Sequence, residues 1–333
     1  MSVTGDDNLR PKLEAAGLLA AGEPAELVPL SGGVSSDIVC VRGADGRKFV
    51  VKRALAKLKV KDDWFADVSR NRSEQAWFAY VARFAPDAIP RVLFRADDWF
   101  AMELLEGDLA TWKIDLLAGR ADVVHARRAG ELLGLVHRLS WADPEARENF
   151  ATGRNFFELR ISPYLVTTGE REPELREHFE AEAARLAATE LALVHGDYSP
   201  KNLMVGAGRF VVLDAEVAWF GDPAFDLGFL LTHLHLKALR HAARPNPLLA
   251  LIPAFWNSYV GALGANADAA LESRAVRLVL MLMLARVRGK SPVEYLDVDQ
   301  QAVVSRFVRR HLPAPPKDLA ALTAAWTVAI ARP

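Results

Sequence analysis

In roughly the first hundred residues the apolar positions fall in short runs of strand period; after that, longer helical runs dominate. Asp37–Arg42 and Lys48–Arg53 are two β-prone runs around Gly43-Ala44-Asp45-Gly46, which predicts a hairpin. Residues 9–21 read as a short helix. Residues 66–85 carry helical periodicity, with Trp77, Phe78, Val81 and Phe84 on one side. Arg91–Phe94 and Trp99–Leu105 read as two further strands, and Glu106-Gly107-Asp108 breaks the pattern. Nearly everything later is helical, apart from 191–213. The pattern predicts an α+β chain of two lobes: a small β-rich N-terminal lobe over 1–105 and a larger, mainly helical C-terminal lobe over 106–333. The hinge falls near 103–107. Alternation of strand and helix as in a dinucleotide-binding sheet is absent, and so is a Walker A sequence.

Composition narrows the classes. At 333 residues, 51% hydrophobic and 25% charged, the chain reads as an ordinary globular protein able to bury one large core or two lobes. A net charge of −1 gives no global reason to expect a nucleic-acid partner. Cys40 is the single cysteine, so neither an internal disulfide nor a cysteine-rich zinc site can form. The N-terminal residues lack a signal-peptide layout, and the most apolar run, Leu278–Ala285, is too short to span a bilayer. These features lead us to expect a cytoplasmic protein with no membrane partner. Oligomeric state is left open.

The chemistry concentrates in Val194–Val205, which reads as strand, tight loop, strand. Asp197 is followed five positions later by Asn202, and the next apolar run, Phe210–Leu213, ends in Asp214 and then Glu216. Hard Mg²⁺ prefers oxygen ligands and binds through few carboxylates plus phosphates, so Asn202 and Asp214 are candidate ligands. Asp197 is placed to accept the proton of an attacking hydroxyl. Glu216 is either a second metal ligand or an acceptor for nearby backbone. Asp222-Pro223 reads as a helix start, with Asp222 as N-cap. Asp226, inside the apolar helix that follows, needs a partner, and the loop backbone is the natural one. His233 and His235 lie two apart, the wrong spacing for a metal site on one helical face.

His195-Gly196-Asp197 with Asn202, then Asp214, then Gly221-Asp222-Pro223-Ala224-Phe225-Asp226-Leu227-Gly228, resemble in order the signatures of the aminoglycoside phosphotransferase / choline kinase superfamily. The Asp-x-Glu form of Asp214 and Glu216 is similar to the methylthioribose kinase branch. The resemblance implies a two-lobed protein-kinase-like fold, ATP with Mg²⁺ as cofactors, and phosphorylation of a small-molecule hydroxyl. GTP is left open as the donor, because backbone contacts to a base leave no residue signature. A protein kinase would instead show Asp-Phe-Gly and a long activation segment, and neither is present. His195 is expected to pack beneath the loop. The family's strand lysine and helix glutamate fall on Lys52 and Glu74. Ser31-Gly32-Gly33-Val34-Ser35-Ser36 stands where a loop would cover phosphates, with Ser31, Gly32, Gly33, Ser35 and Ser36 as candidate contacts. Backbone near Glu103 and Leu105 would hold the base, and Met102 would line its pocket.

The acceptor is less legible. Tyr198, Lys201, Trp219, Phe220, Arg160, Tyr164 and Trp256 are candidate pocket residues. After position 230 there are 13 basic and 6 acidic residues, a balance of +7. A pocket for polycations calls for acidic or aromatic groups, so the balance favours a neutral or anionic, sugar-like alcohol. The alternatives are an aminoglycoside or macrolide phosphotransferase, or a non-catalytic nucleotide-binding module. The last would be expected to lack Asp197, Asn202 or Asp214, and all three are present.

Overall fold

The structure is a computed structural model and describes residues 9–30, 36–55, 70–267 and 269–331. The N-terminal part contains α1 (Leu9–Ala15), β1 (Ala25–Pro29), β2 (Ser36–Gly43), β3 (Lys48–Ala54), α2 (Arg70–Ala82), β4 (Val92–Arg95) and β5 (Trp99–Glu103). Its strands form one antiparallel sheet in the order β1-β2-β3-β5-β4. Alternation along β3 sends Phe49 and Val51 to one face, where they pack with Leu9 and Leu13 of α1 and with Trp99 and Ala101. Val50, with Phe100 and Met102, joins the other cluster, against Trp77 and Phe78 of α2. Lys52 has the parity of Val50 and therefore points toward α2.

The rest of the chain begins with β6 (Ala110–Thr111), α3 (Trp112–Leu117), α4 (Val123–Leu139), α5 (Pro144–Asn149) and α6 (Gly153–Phe156). A π-helix, Phe157–Val166, then leads into α7 (Thr167–Arg171) and α8 (Arg176–Ala187). Four short strands follow: β7 (Ala192–Val194), β8 (Leu203–Val205), β9 (Phe210–Val212) and β10 (Trp219–Gly221). Helices complete it: α9 (Ala224–Arg240), α10 (Asn246–Leu249), α11 (Leu251–Leu263), α12 (Ala269–Arg288), α13 (Val298–His311) and α14 (Leu319–Ile330). β6, β8 and β9 pair in one sheet, β7 and β10 in another. The molecule is α+β, a β-sheet region followed by a helical remainder.

Several expectations shift in detail. The helix expected over 9–21 stops at Ala15, where Leu18 N and Leu19 N close onto Leu13 O. β1, β6 and β10 had no distinct signal. Residues 66–69 of the 66–85 periodicity lie outside the described residues, and α2 ends at Ala82. The stretch Asn246–Asn266, mean hydropathy 1.4, is long and apolar enough to cross a membrane by length and composition alone, unlike the shorter Leu278–Ala285 run. In the fold its Leu251, Ile252, Phe255, Tyr259 and Leu263 are buried, and it packs on α4. That approach needs glycine: a Cβ on Gly130 would stand 2.3 Å from Phe255 O.

Candidate active site

Lys52 is where the two regions meet. Its ammonium lies 2.6 Å from Glu74 Oε2 and 2.5 Å from Asp214 Oδ1, joining β3, α2 and the end of β9. Glu74 also accepts the backbone N–H of Asp214 at 3.1 Å. Burial works against the charge on Lys52, but Asp214, Glu74 and Glu216 outweigh it and hold its pKa above the usual lysine range. Burial pushes Glu74 up, while the lysine prevails over burial at Asp214 and holds that carboxyl well below the usual range. Asp214 adopts φ +66°, a left-handed conformation rare for a non-glycine residue. It is locked from both ends, by Glu74 at its N–H and by Lys52 at its side chain.

The loop between β7 and β8 is fixed from below. Asp226, fully buried on the first turn of α9, accepts the N–H of His195 at 2.7 Å and of Gly196 at 2.9 Å. Gly196 takes φ +78°, and a Cβ there would meet Val217 O at 2.7 Å, so only glycine fits the turn before Asp197. His195 packs edge-on to Trp77 and Tyr198. Its Nε2 lies 3.1 Å from Leu213 O, and its Nδ1 accepts from Asp197 N at 3.1 Å. Burial holds its pKa below the usual value, which keeps the ring neutral and suits these two bonds.

Asp197 is 4% exposed, and its Oδ2 lies 3.0 Å from Arg160 and 2.9 Å from Lys201. Burial would raise its pKa, yet the two cations hold it below the usual range, so the group is an ionised carboxylate. Arg160 also donates to Gly196 O at 2.5 Å and Leu159 O at 2.7 Å. The wide turn of the π-helix carries it there; π-turns recur at functional sites, and Pro163 within this one has no N–H to donate. Asn202 Nδ2 donates to Asp197 O at 2.9 Å, leaving the amide oxygen as the end that can meet a cation.

Not every expected residue joins this group. Tyr198, expected at the acceptor pocket, is 1% exposed and donates to Ala129 O at 2.9 Å, which ties it into the core. Trp219 is also core, stacked on Phe156 with centroids 4.4 Å apart, and Phe220 is buried beside it. Trp256 stacks on Tyr259. Tyr164 is buried against Phe229, with its hydroxyl 3.3 Å from Arg286. Glu216, a candidate metal ligand or backbone acceptor whose charge is felt at Lys52, pairs with Arg70 Nε at 3.1 Å, a fully buried guanidinium with no signal in the sequence pattern. Asp222 caps Ala224 N at 2.9 Å and also pairs with Arg185 and Arg274. Ser36 opens β2 with its hydroxyl buried and unpartnered; Ser31, Gly32, Gly33 and Ser35 lie outside the described residues. Glu103 gives its N–H to Arg91 O and its carboxylate to Arg209, while Met102 is 8% exposed on β5. The backbone of Leu105 makes no hydrogen bond among the described residues.

Comparison with known proteins adds the decisive observation: the profile of the phosphotransferase enzyme family matches residues 26–259. The chain belongs to that family. The matched span holds every member of the site just described, from Lys52 to Asp226. A methylthioribose kinase of Bacillus pumilus (strain SAFR-032) is 27% identical over 248 residues, covering 62% of this chain and 62% of the relative. The chain thus spans less than two thirds of the length of the curated relatives it matches. Among solved structures, a choline/ethanolamine kinase family protein from Mesorhizobium loti superposes with a TM-score of 0.53 at 19% identity, covering 98% of this chain and 99% of that one. An ethanolamine kinase from Plasmodium vivax gives 0.53 at 12% identity, covering 98% and 88%. At such identities these neighbours speak to the fold, which is kinase-like and two-lobed.

Among the described residues no group of three or more His, Cys, Asp or Glu forms a metal cage. The donors at the loop, one amide oxygen and one carboxylate, instead suit a cation that brings phosphate oxygens and water with it.

Proposed function

We propose that this chain is an ATP- and Mg²⁺-dependent phosphotransferase that moves the γ-phosphoryl group to a hydroxyl of a small molecule, a neutral or anionic sugar-like alcohol. The observation that carries the reading is the grouping of Lys52, Glu74 and Asp214 beside the loop that bears Asp197 and Asn202. In this reading residues 1–105 form the nucleotide-binding lobe and 106–333 the catalytic and acceptor-binding lobe. Lys52 would hold the nucleotide phosphates, positioned by Glu74. Asn202 and Asp214 would hold Mg²⁺, which neutralises charge on the phosphates when bound.

Asp197 would orient the acceptor hydroxyl and take its proton. A carboxylate held ionised by Arg160 and Lys201 is a ready hydrogen-bond acceptor, and the loose transition state of phosphoryl transfer demands proton acceptance late. Lys201, half-exposed beside Asp197, is placed to meet the transferred group. Similarity to methylthioribose kinases supports a sugar-like acceptor. The test is a screen of sugars, polyols, sugar acids and aminoglycosides with purified protein, ATP and MgCl₂, reading product by mass. A sugar-like acceptor should gain one phosphoryl group; efficient modification of aminoglycosides alone would replace this reading with the antibiotic-modifying one.

A further inference from the structure

One stripe of α9 leads away from the catalytic loop. Asp226, Phe229, His233 and Lys237 are spaced by three, four and four residues and share a face. Asp226 holds the loop backbone. The Phe229 ring lies 5.9 Å from the Arg160 guanidinium carbon and 5.6 Å from the His233 ring. Lys237 begins about 16 Å along the helix from Asp226 at 1.5 Å rise per residue. Helical side chains lean toward the N-terminus, so its ammonium reaches back toward the loop.

Lys237 is 1% exposed and makes no hydrogen bond or ion pair among the described residues. Its recorded neighbour is an aromatic face, the Tyr295 ring, 4.7 Å from Nζ. Around it cations outnumber acids: Lys113 and Arg286 press on it and Glu294 opposes them. Glu294 is already committed to Lys113 at 2.5 Å. Burial with these cations holds Lys237 down to about 7. Three more polar atoms here are buried without partners among the described residues: Arg286 Nε, His233 Nδ1 and Tyr295 Oη. Arg286 gives Nη1 to Tyr164 Oη at 3.3 Å and to Ser291 O and Oγ at 2.5 and 3.0 Å, but it has no anionic partner among the described residues. Buried polar groups are paired in the great majority of cases, so orphaned atoms beside two cations that lack an anion, Lys237 and Arg286, suit a ligand that brings acceptors. The cluster adjoins the catalytic loop: Lys113 N donates to Pro200 O at 2.9 Å, and the charge of Lys201 is felt at His233.

We propose that Lys237, Arg286, His233 and Tyr295 form an anion-binding subsite on the acceptor side, taking a carboxylate or phosphate carried by the hydroxyl-bearing substrate. This rests on the phosphotransferase reading and narrows it: the acceptor is an anionic alcohol. The subsite would fix the far end of the acceptor while Asp197 meets its hydroxyl. It would repel cationic acceptors.

Calorimetry on the full chain tests this, with the nucleotide site filled by Mg²⁺ and a non-hydrolysable ATP analogue. The probes are glycerol 3-phosphate, D-glycerate, glycerol and choline. The two anions should bind at least about tenfold more tightly than glycerol, with choline weakest, as expected for hydrogen bonds to charged groups. The ratio of the two anions tells phosphate from carboxylate. Lys237→Met should bring the better anion within about twofold of glycerol while leaving nucleotide affinity unchanged. Arg286→Gln should weaken the same anion and stands in if Lys237→Met does not fold. Equal binding of all four probes to the parent protein, or unchanged anion affinity in both variants, overturns the subsite. Selective anion binding without product from any acceptor would uphold the subsite and remove the phosphotransferase reading. Equal kcat/KM for neutral and anionic acceptors would do the opposite.

Discussion

Asp197 sits between two cations, and its neighbours define what removing it should do. Asp197→Asn keeps the shape and the bond from Ser199 but loses the charge that Arg160 and Lys201 face. Turnover should fall about 10²–10⁴-fold, the usual cost of losing a general base, while nucleotide still binds. Single-turnover kinetics with the identified acceptor would check this; a variant within about threefold of the parent would end the assignment. Lys52 and Glu74 act as one unit, in contact at 2.6 Å and both tied to Asp214. Lys52→Ala and Glu74→Ala should each weaken ATP use, and the double variant should be little worse than the poorer single one, because contacting residues are non-additive. Losses that multiply in a double-mutant cycle would mean that the pair does not work together.

At the level of elements, α9 is the support on which the loop rests. Its Asp226 satisfies two buried backbone N–H groups and lies 3.4 Å from His137 Nε2. Asp226→Ala leaves both donors unpaired, at about 1–3 kcal/mol each. Denaturant unfolding should therefore show a midpoint lowered by the equivalent of about 2–6 kcal/mol with an unchanged slope. Asp226→Asn, which retains one acceptor oxygen, should lose less. Equal stability of Asp226→Ala and parent would show that the loop is held by other contacts. The anchoring carboxylate stands out as a charge inside an apolar helix, but the stripe that continues to Lys237 does not, since α9 is buried nearly all round. The +4 spacings from Phe229 to Lys237 are visible in the sequence, but only the packing of α9 against the loop gives them a direction.

For the molecule as a whole, buried neutral histidines link stability to pH. His195, His233 and His235 all have pKa values depressed by burial, His235 to about 4. At these histidines the unfolded chain binds more protons than the folded one below about pH 6.5, so the stability they contribute falls as pH drops through that window toward 4. His235 alone should contribute a loss of about 2 kcal/mol at pH 5 relative to neutral pH. Its ring bonds Leu231 O at 2.8 Å and Thr323 at 3.3 Å, which His235→Gln can partly replace without a titrating group. The gap in unfolding free energy between parent and His235→Gln should therefore shift in favour of the variant by about that amount between pH 7.5 and 5. A gap independent of pH would show that His235 does not titrate on unfolding.

Much of this protein is local and therefore legible in its residues. Short apolar runs marked β2, β3 and β5, the hairpin turn preceded Lys52, and the spacing of His195, Asp197, Asn202, Asp214 and Asp226 pointed to phosphoryl transfer. Such features need only neighbouring residues to impose them. The tertiary structure decided what depends on distant partners. Arg70 and Glu216 meet across 146 positions, an ion pair that no spacing along the chain announces. Arg160 reaches Asp197 because of a π-helical turn that no periodicity announced, and a bond to Ala129 O on α4 holds Tyr198 in the core. The +7 balance after residue 230 suggested an electropositive acceptor side, but charge counted along a chain carries no position. Burial separated Lys237 and Arg286, which lack an anion, from surface cations such as Arg309, which has Glu172 and Glu174. A charge acquires a role only when solvent is removed from around it, and that is set by packing rather than by sequence.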